Sequence, residues 1–415
     1  MEHLEIGSRL YMDDGVVEAF EKQAVKDFFD ARQPQCRIVD DAVVLPAQKF
    51  ADGDGKAFFR GGVIDDNGNF VVQSQHVRNT HDGAMLEGYD CPDEVVFENK
   101  EVLYGGVLMQ HFGHFLLETT NRLWYWIENR DKNLDIVFLP LKHSKKVLPQ
   151  FWEFMDLLGI ARDKIHFLRE PKRFSKVYVP EASGVISVSF NEKFLLPFQE
   201  IASRVEPKDK KKIYLSRTKF TKGSHCLGEE HIEKVFGLNG YHVVYPERLS
   251  LREQIEYIRG ADEVAGVIGT ATHLELFAKP RVKSIICERS DVPLSAQMLV
   301  HQAIGADWYD IGAEMNPFPV DHSTGPILLG VTESFARFGR KYGWNIPSEL
   351  VGYVKKEHSK AWVKEYFRRY CQKTYNERLA VVAPLVARRL SYMSSAFVPL
   401  KKRFKHLFQS LFRKI

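Results

Sequence analysis

The sequence predicts an α/β protein with two doubly wound domains and a basic helical tail. Two series of short apolar segments alternate with amphipathic segments at helical spacing, a pattern typical of parallel sheets covered by helices. The charged segment Glu206–Lys212 separates the two series. At about 150 residues per domain, the length of 415 residues also favours two domains. We therefore expect domains at residues 1–205 and 206–345, and the tail at residues 346–415.

In the first domain, two alternating apolar runs flank a turn at Asp66–Gly68, which predicts a hairpin. Strand-like and helix-like segments then alternate, in the βαβ order of a parallel sheet. The predicted elements are the hairpin Val63–Ser74, the strand Val102–Leu108, the helix Gly113–Ile127, the strand Asp135–Leu139, the helix Gln150–Leu158 and the strand Lys176–Val179.

The second domain shows the same alternation with short connections, which indicates a doubly wound sheet with ligands at the carboxyl ends of its strands. The predicted strands are Ile213–Ser216, His242–Val244, Glu263–Ile268 and Ser284–Cys287. The predicted helices are Glu229–Phe236, Leu251–Arg259 and a helix that begins near Thr272.

The composition excludes several classes of protein. Hydrophobic residues make up 44% of the chain and charged residues 27%, as in ordinary globular proteins. The five cysteines are scattered without a CxxC pair, so neither a disulfide framework nor a zinc site is indicated. The sequence lacks a membrane-spanning apolar run and a basic, then apolar N-terminal signal. We therefore expect a cytoplasmic protein.

The basic charge of the chain is concentrated in the tail. After residue 350 the chain has 16 of its 58 Lys and Arg residues but only 3 of its 54 Asp and Glu residues, a net charge of +13, and the preceding part carries −9. The segment Leu400–Ile415 places apolar side chains on one helical face and basic ones beside it. This pattern predicts a helix that binds an anionic membrane surface on the cytoplasmic side. It also fits a helix docked on the acidic body of the protein.

The densest group of reactive side chains lies in the segment Gln110–Leu123. If the chain is helical from Gly113, His114 and Glu118 share one face at i and i+4. A carboxylate beside an imidazole favours the imidazolium that forms when the imidazole takes a hydroxyl proton, so the pair fits a general base. The same spacing also fits a structural role, with an ion pair between Glu118 and Arg122.

Two segments of the second domain fit a diphosphate site. Arg217 and Lys222 follow a predicted strand, and an Arg side chain there can bind a diphosphate with two hydrogen bonds. The small-residue turn Gly269–Thr272 leads from an apolar strand into a helix, whose first N–H groups attract phosphate. Glu288 ends the next strand and can accept hydrogen bonds from ribose hydroxyls. A solvated basic loop and a surface carboxylate fit the same residues.

Taken in order, these segments resemble glycosyltransferase family 61. In the first domain they match a Gly-His-aromatic segment that is followed by an acidic residue and then by Arg-Leu. In the second domain they match a strand that ends in Ser-Arg, and a Pro-Glu-x-Leu-Ser stretch followed by a Glu-Gln pair. They also match a turn that begins with Gly and is followed by a Phe, and a Glu at the end of the next strand. The matching residues are Gly113, His114, Phe115, Leu116, Leu117, Glu118, Arg122, Leu123, Ser216, Arg217, Pro246, Glu247, Leu249, Ser250, Glu253, Gln254, Gly269, Phe277 and Glu288.

The resemblance implies a GT-B architecture, in which two Rossmann-like domains face each other across a cleft. It implies an inverting, metal-independent transfer of sugar from a nucleoside-diphosphate sugar, with a UDP-sugar expected, to a glycan or lipid-linked acceptor in surface polysaccharide synthesis. No cofactor or metal is expected, since the second domain has no DxD carboxylate pair. His114 is then the general base, and Glu118 orients it.

The remaining candidate residues are divided between the two substrates. His111 and Arg122 are expected on the acceptor side. The residues expected to bind the donor are Arg217, Lys222, Gly269, Thr270, Ala271, Thr272, His273 and Glu288.

Three alternatives belong to other functional classes. A catalytically inactive sugar-nucleotide or glycan-binding protein would share the fold, although His114 and Arg217 are both present. A nucleic-acid binder built on the basic tail is opposed by the acidic body and by the lack of an aromatic RNA-binding strand motif. A hydrolase is opposed by the lack of a GxSxG nucleophile elbow.

Overall fold

The structure is a computed structural model that describes residues 6–51, 57–79, 83–141, 147–220, 226–318, 320–321 and 325–370. Lys222 and the predicted helix Leu400–Ile415 lie outside the described residues.

Sixteen strands are assigned in the described residues. They are β1 (Leu10–Tyr11), β2 (Cys36–Ala51), β3 (Ala57–Ile64), β4 (Val96–Leu108), β5 (Asp135–Pro140), β6 (Ile165–Phe167), β7 (Lys172–Pro180), β8 (Gly184–Val185), β9 (Ser189–Phe190), β10 (Lys212–Leu215), β11 (Cys226–Leu227), β12 (His242–Val244), β13 (Glu263–Val267), β14 (Lys283–Glu288), β15 (Asp307–Gly312) and β16 (Ile327–Leu328).

The α-helices lie mainly between strands that belong to the two large sheets. They are α1 (Asp14–Ala24), α2 (Phe112–Glu118), α3 (Leu123–Glu128), α4 (Pro149–Leu158), α5 (Leu196–Ser203), α6 (Glu229–Leu238), α7 (Leu251–Gly260), α8 (Ser295–Ile304), α9 (Glu333–Tyr342) and α10 (Lys356–Tyr370). Two 3-10 helices, Thr119–Arg122 and Thr270–Phe277, lie close to the predicted site.

The second sheet is fully parallel, in the order β1-β15-β14-β13-β10-β12. Its strand order reverses between β10 and β13, because β12 adds on one side of β10 and the later strands add on the other. Ligands of doubly wound sheets bind at the carboxyl ends of the strands at such a reversal. Arg217 follows β10 and Gly269 follows β13, so the two segments predicted to bind diphosphate lie on the two sides of this crevice.

The first sheet has the order β3-β2-β7-β4-β5-β6. Strands β7, β4, β5 and β6 are parallel, but β2 runs antiparallel to both β3 and β7. The α/β class is therefore confirmed, whereas the fully parallel first sheet expected of a Rossmann-like domain is wrong. The long strand β2 escaped the sequence analysis because Pro46 and a bulge between Leu45 and Gln48 interrupt its alternation. The strand order of this sheet reverses between β4 and β7.

The predicted hairpin Val63–Ser74 is reduced to a single bridge between Ile64 and Phe70. The main partner of β3 is β2, and the chain after Phe70 enters a 3-10 turn at Val72–Ser74. The hydroxyl of Ser74 accepts the N–H of Val63 at 3.0 Å, in place of a second strand.

The N-terminal residues pack on the second sheet, which differs from the predicted division at residue 205. Strand β1 pairs with β15, so that Leu10 lies opposite Asp310. The N–H of Phe28 donates to Oε1 of Gln302 at 2.9 Å. A strand of two residues has no periodic pattern, so the sequence could not reveal this pairing.

One apolar core joins the two sheets. Phe154 of α4, Phe198 of α5 and Phe277 of the Thr270–Phe277 helix pack edge to face, with ring centroids 5.2–6.2 Å apart. All three side chains are fully buried. The N–H of Leu251 also donates to Oε2 of Glu153 across this boundary, at 2.6 Å. These contacts fix the helices of the first sheet against the second sheet.

The predicted helix Gly113–Ile127 is interrupted. Helix α2 ends at Glu118, the chain continues as the 3-10 helix Thr119–Arg122, and α3 begins at Leu123. The cause lies in side chains that bond to the backbone: the Thr120 hydroxyl donates to the Leu116 carbonyl, and the Asn121 amide donates to the Leu117 carbonyl, both at 2.8 Å.

We call the first sheet with its helices the first unit, and the second sheet with its helices the second unit. The described part of the predicted tail packs on the second unit through α10. Trp362, Tyr366 and Tyr370 are buried there. The indole N–H of Trp362 lies 2.9 Å from Oδ1 of Asn316, and the Tyr370 hydroxyl donates to the Gly325 carbonyl at 3.0 Å. Among the described residues, no helix has both the length and the apolar character needed to cross a bilayer.

Candidate active site

The carboxyl ends of the two sheets meet where α2 approaches the Thr270–Phe277 helix. A Cβ atom on Gly113 would lie 3.1 Å from Oγ1 of Thr270 and 3.2 Å from Cδ2 of His273. A side chain at this position would require Thr270 or His273 to shift by a few tenths of an ångström, so glycine favours the close approach. His114, one residue further along α2, is consequently brought to the boundary between the two units.

The first group at this boundary is an ion cluster around Glu118. Its carboxylate is almost fully buried and accepts a hydrogen bond from Nδ1 of His114. The other oxygen, Oε1, lies 2.9 Å from Nε of Arg78 and 3.2 Å from Nε2 of His76. Burial opposes ionisation of Glu118, but the interactions with His114, His76 and Arg78 outweigh it and hold its pKa at about 2. Glu118 therefore stays charged throughout the physiological pH range.

The contact with Glu118 fixes the tautomer of His114. An ionised carboxylate only accepts hydrogen bonds, so Nδ1 of His114 carries the hydrogen and Nε2 keeps its lone pair. The imidazole is about one-third exposed at the boundary. His114 can therefore accept a proton at Nε2, and the buried charge of Glu118 stabilises the resulting imidazolium.

Two further histidines lie near His114. The ring centroid of His111 is 5.3 Å from that of His114. Partial desolvation, together with the charges of His114 and Arg217, lowers the pKa of His111. Burial is the main cause that lowers the pKa of His273 to about 4, and the nearby histidines His114 and His111 contribute. The hydrogen bond to Gln297 acts in the opposite direction. Groups from both units therefore interact electrostatically at this point.

A buried network orients His273. The amide nitrogen of Gln297 donates to Oε2 of Glu275 at 3.0 Å, so its Oε1 faces His273 and lies 3.1 Å from Nδ1. Nδ1 of His273 is consequently the protonated nitrogen. The hydroxyl of Thr272 is also part of this network, since it lies 2.7 Å from Oε1 of Gln297 and donates to the Gly269 carbonyl.

The second unit contributes two guanidinium groups above Gly269. A Cβ atom on Gly269 would lie 3.1 Å from Nη1 of Arg217 and 3.6 Å from Nη1 of Arg289. Gly269 has a φ of 153°, which a side chain would strain. Nε of Arg289 is buried without a hydrogen-bond partner, and burial is the main cause that lowers the pKa of this side chain, with Arg217 contributing. Two adjacent cations beside a helix start form a favourable site for an anion.

Two carboxylates hold the loop that carries Arg217. The backbone N–H of Arg217 donates to Oε1 of Glu229 at 2.8 Å. The hydroxyls of Ser216 and Thr218 donate to Oε2 of Glu233 at 2.6 and 2.7 Å. Burial raises the pKa of Glu229 to about 7. The loop is thus fixed through its backbone and its short side chains, which leaves the guanidinium group of Arg217 for a ligand.

Glu288 lies at the end of β14, beside Arg289. It is 2% exposed, and its Oε2 has no hydrogen-bond partner. Burial, and next the carboxylate of Asp310, raises its pKa well above the usual range. Glu288 also lines a small cavity of about 80 Å³ that Ser290 and Thr332 share. A hydroxyl that donates to Oε2 would satisfy this buried oxygen.

Arg122 has a different environment from the one that helical spacing predicts. Glu118 pairs with His76, Arg78 and His114 instead of Arg122, because the helix changes form at Thr119. The guanidinium group of Arg122 donates instead to backbone carbonyls and lies 5.2 Å from the ring of Tyr104.

Most of the predicted site residues that the structure describes lie together at the boundary or at the strand ends beside it. These are His111, His114, Glu118, Arg217, Gly269, Thr270, Ala271, Thr272, His273 and Glu288. Thr272 is oriented inward, to the network of Gln297, and Arg122 is bonded to the backbone. In the described part of the chain, no three or more His, Cys, Asp or Glu side chains are grouped so as to hold a metal ion.

Several residues of the site were missed by the sequence analysis. His76 and Arg78 lie in an irregular segment after the Val72–Ser74 turn, and only the fold brings them to Glu118. Arg289 directly follows Glu288, so its position one residue after a strand end was a usable signal. Gln297 is the third residue of α8, a helix that was not predicted, and its side chain is buried there.

The site thus combines the His114–Glu118 pair of one unit with the paired guanidinium groups of the other. The family model described as Glycosyltransferase 61 matches residues 112–286, from the start of α2 to β14. This match confirms the family resemblance over the matched residues, which include α2, Arg217 and the Thr270–Phe277 helix. No curated protein matches the sequence.

Proposed function

We propose that the protein is a glycosyltransferase that moves a sugar from a nucleoside-diphosphate sugar, with a UDP-sugar as the expected donor, to a glycan or lipid-linked saccharide. The reaction proceeds with inversion, without a metal ion, and in a GT-B arrangement of the two units. The observation that carries the proposal is the close approach of α2, which holds His114 and Glu118, to the Thr270–Phe277 helix, which begins directly after Gly269 and the two guanidinium groups beside it. The His114–Glu118 pair suits an acceptor hydroxyl, and the two guanidinium groups suit a diphosphate.

In the proposed reaction, Nε2 of His114 takes the proton of an acceptor hydroxyl while that oxygen attacks the anomeric carbon of the donor. The bond from the anomeric carbon to the diphosphate oxygen breaks, and the diphosphate leaves with the electron pair. Glu118 stabilises the imidazolium, and the two guanidinium groups stabilise the departing negative charge. A single displacement inverts the anomeric configuration.

The charges of the site support a transfer without metal. A leaving diphosphate requires positive charge near its oxygens, and Arg217, Arg289 and the first N–H groups of the Thr270–Phe277 helix supply it. Glu288, with its unpartnered Oε2, is the expected acceptor for a ribose hydroxyl of the nucleotide.

A thermal-shift screen against UDP-, GDP- and CMP-sugars in the presence of EDTA tests the proposal. A ligand that binds only the folded protein raises its melting temperature by mass action, so at least one UDP-sugar is expected to do so with the chelator present. A shift that needs added Mn²⁺ would contradict the metal-free site. Binding of a donor without transfer to any acceptor would favour the alternative of an inactive sugar-nucleotide-binding protein.

We also propose that the enzyme works at the cytoplasmic face of a membrane, where lipid-linked acceptors are found. The basic amphipathic pattern of Leu400–Ile415 supports this location. Removal of this segment is expected to abolish sedimentation with anionic liposomes at low salt while transfer to a soluble acceptor continues. Undiminished sedimentation of the shortened protein would refute the membrane role of the segment.

A further inference from the structure

A polar cavity of about 250 Å³ lies in the first unit, beside the ion cluster of Glu118. It opens where the strand order reverses between β4 and β7, at their carboxyl ends. Tyr104 and Gly106 of β4 form one wall, and the segment after β7, from Glu181 to Ile186, forms another. This is the position in which open α/β sheets bind ligands, and the proposed donor site occupies the equivalent position in the second sheet.

The walls of the cavity present hydrogen-bond acceptors that lack partners. Asn121 is 3% exposed, and its amide nitrogen donates to the carbonyls of Leu117 and Gly184, both at 2.8 Å. This pairing fixes the orientation of the amide and leaves Oδ1 without a partner. Oε1 of Gln73, which also lines the cavity, is buried and unpartnered as well. Buried acceptors of this kind are normally satisfied by a ligand or by water.

The cations that line the cavity are already engaged. Arg122 donates to the backbone carbonyls of Gln73, Gln75 and Pro180. Arg32, at the rim, donates to Oε2 of Glu181 at 2.8 Å. The cavity therefore favours a ligand that donates hydrogen bonds and disfavours phosphate or carboxylate groups.

Apolar side chains also lie at the rim of the cavity. Val72 and Val77 lie there with exposed side chains, and Val185 and Ile186 lie opposite in the lining. The combination of apolar side chains with the buried acceptor atoms of Asn121 and Gln73 suits a pyranose, which has C–H faces and several hydroxyl donors.

We propose that this cavity binds one neutral sugar residue of the acceptor, next to the residue that carries the attacking hydroxyl. The inference rests on the proposed function, since it assigns the acceptor of that same site. Glu118 connects the two places: one carboxylate oxygen binds His114, and the other lies beside His76 in the cavity wall. A sugar in the cavity would therefore be separated from the base by a single carboxylate.

Saturation-transfer NMR with methyl glycosides of glucose, galactose, xylose and N-acetylglucosamine tests this assignment on the full chain. At least one glycoside is expected to bind the wild-type protein, and inorganic phosphate is not expected to compete with it. Val72→Trp is expected to abolish the signal, because the indole would cover the rim. Gln73→Met is expected to weaken binding about three- to tenfold, through the loss of one hydrogen-bond acceptor.

Val188→Trp is the matched control, since Val188 is exposed near the rim but does not line the cavity. It should leave glycoside binding unchanged. Melting temperatures of all three variants show whether each is folded, and Gln73→Met keeps the test valid if a Trp variant fails to fold. Absence of binding by every glycoside, or equal binding by wild type, Val72→Trp and Gln73→Met, would overturn the assignment. A UDP-sugar thermal shift in the same variants separates this failure from failure of the proposed donor site.

Discussion

His114→Ala is expected to lower turnover by about 10²- to 10⁴-fold, the range for loss of a general base. The physical reason is that Nε2 of His114 carries the lone pair that accepts the proton. The hydrogen bond from Nδ1 to Glu118 keeps this lone pair on Nε2. The dissociation constant of the donor should stay nearly unchanged, because the cations assigned to the diphosphate belong to the other unit. Initial rates at saturating donor and acceptor, together with a donor titration, measure the two effects separately.

Glu118→Gln and His242→Ala complete the first test. Glu118→Gln should have a smaller effect on turnover than His114→Ala, because the amide still orients the imidazole but no longer stabilises the imidazolium by charge. His242 is exposed on β12, outside the site, so His242→Ala should keep wild-type turnover. If His114→Ala also kept wild-type turnover, the base would be a different group, and His111 would be the next candidate.

Arg289→Gln and Arg217→Gln are each expected to weaken donor binding about 10- to 100-fold, the effect of losing a charge-assisted hydrogen bond. The ligand-free variants should melt at the same temperature as the wild type or above it. The two guanidinium groups lie close together over Gly269, and the charge of Arg217 is one of the causes that lower the pKa of Arg289, after burial. Removal of one charge therefore relieves repulsion in the empty site.

The control for the second test is Arg252→Gln. Arg252 is an exposed residue of α7, so its substitution should change neither donor affinity nor melting temperature. Isothermal titration with the donor found by screening measures the affinities. Wild-type affinity in both Arg289→Gln and Arg217→Gln would show that the diphosphate lies elsewhere. A large fall in melting temperature without ligand would show that these side chains are structural.

The second sheet could be predicted closely from the sequence because its strands are buried on both faces. Such strands are short continuous apolar runs with helices between them, and the predicted strand His242–Val244 matches the observed one. The inner strands β4, β5 and β7 of the first sheet were predicted for the same reason. The antiparallel pair β2 and β3 was missed because half-exposed strands with charges and a proline lack this signal.

The candidate site was predicted only where its residues are neighbours in sequence. His114 and Glu118 lie one helical turn apart, so periodicity alone brings them together. His76 and Arg78 reach Glu118 from an irregular segment about forty residues away, and such an approach depends on the packing of the whole first sheet. The close pairing of Arg217 with Arg289 likewise depends on the neighbouring positions of β10, β13 and β14.

The central claim is a single displacement in which a base on the first unit activates the acceptor against a nucleotide-sugar on the second. The most direct measurement is the anomeric configuration of the product, followed by proton NMR from the first minutes of the reaction with an α-linked UDP-sugar and EDTA. The wild type is expected to form a β-linked product, and His114→Ala is expected to form it at a strongly reduced rate. An α-linked product would contradict the single displacement and require a different role for His114.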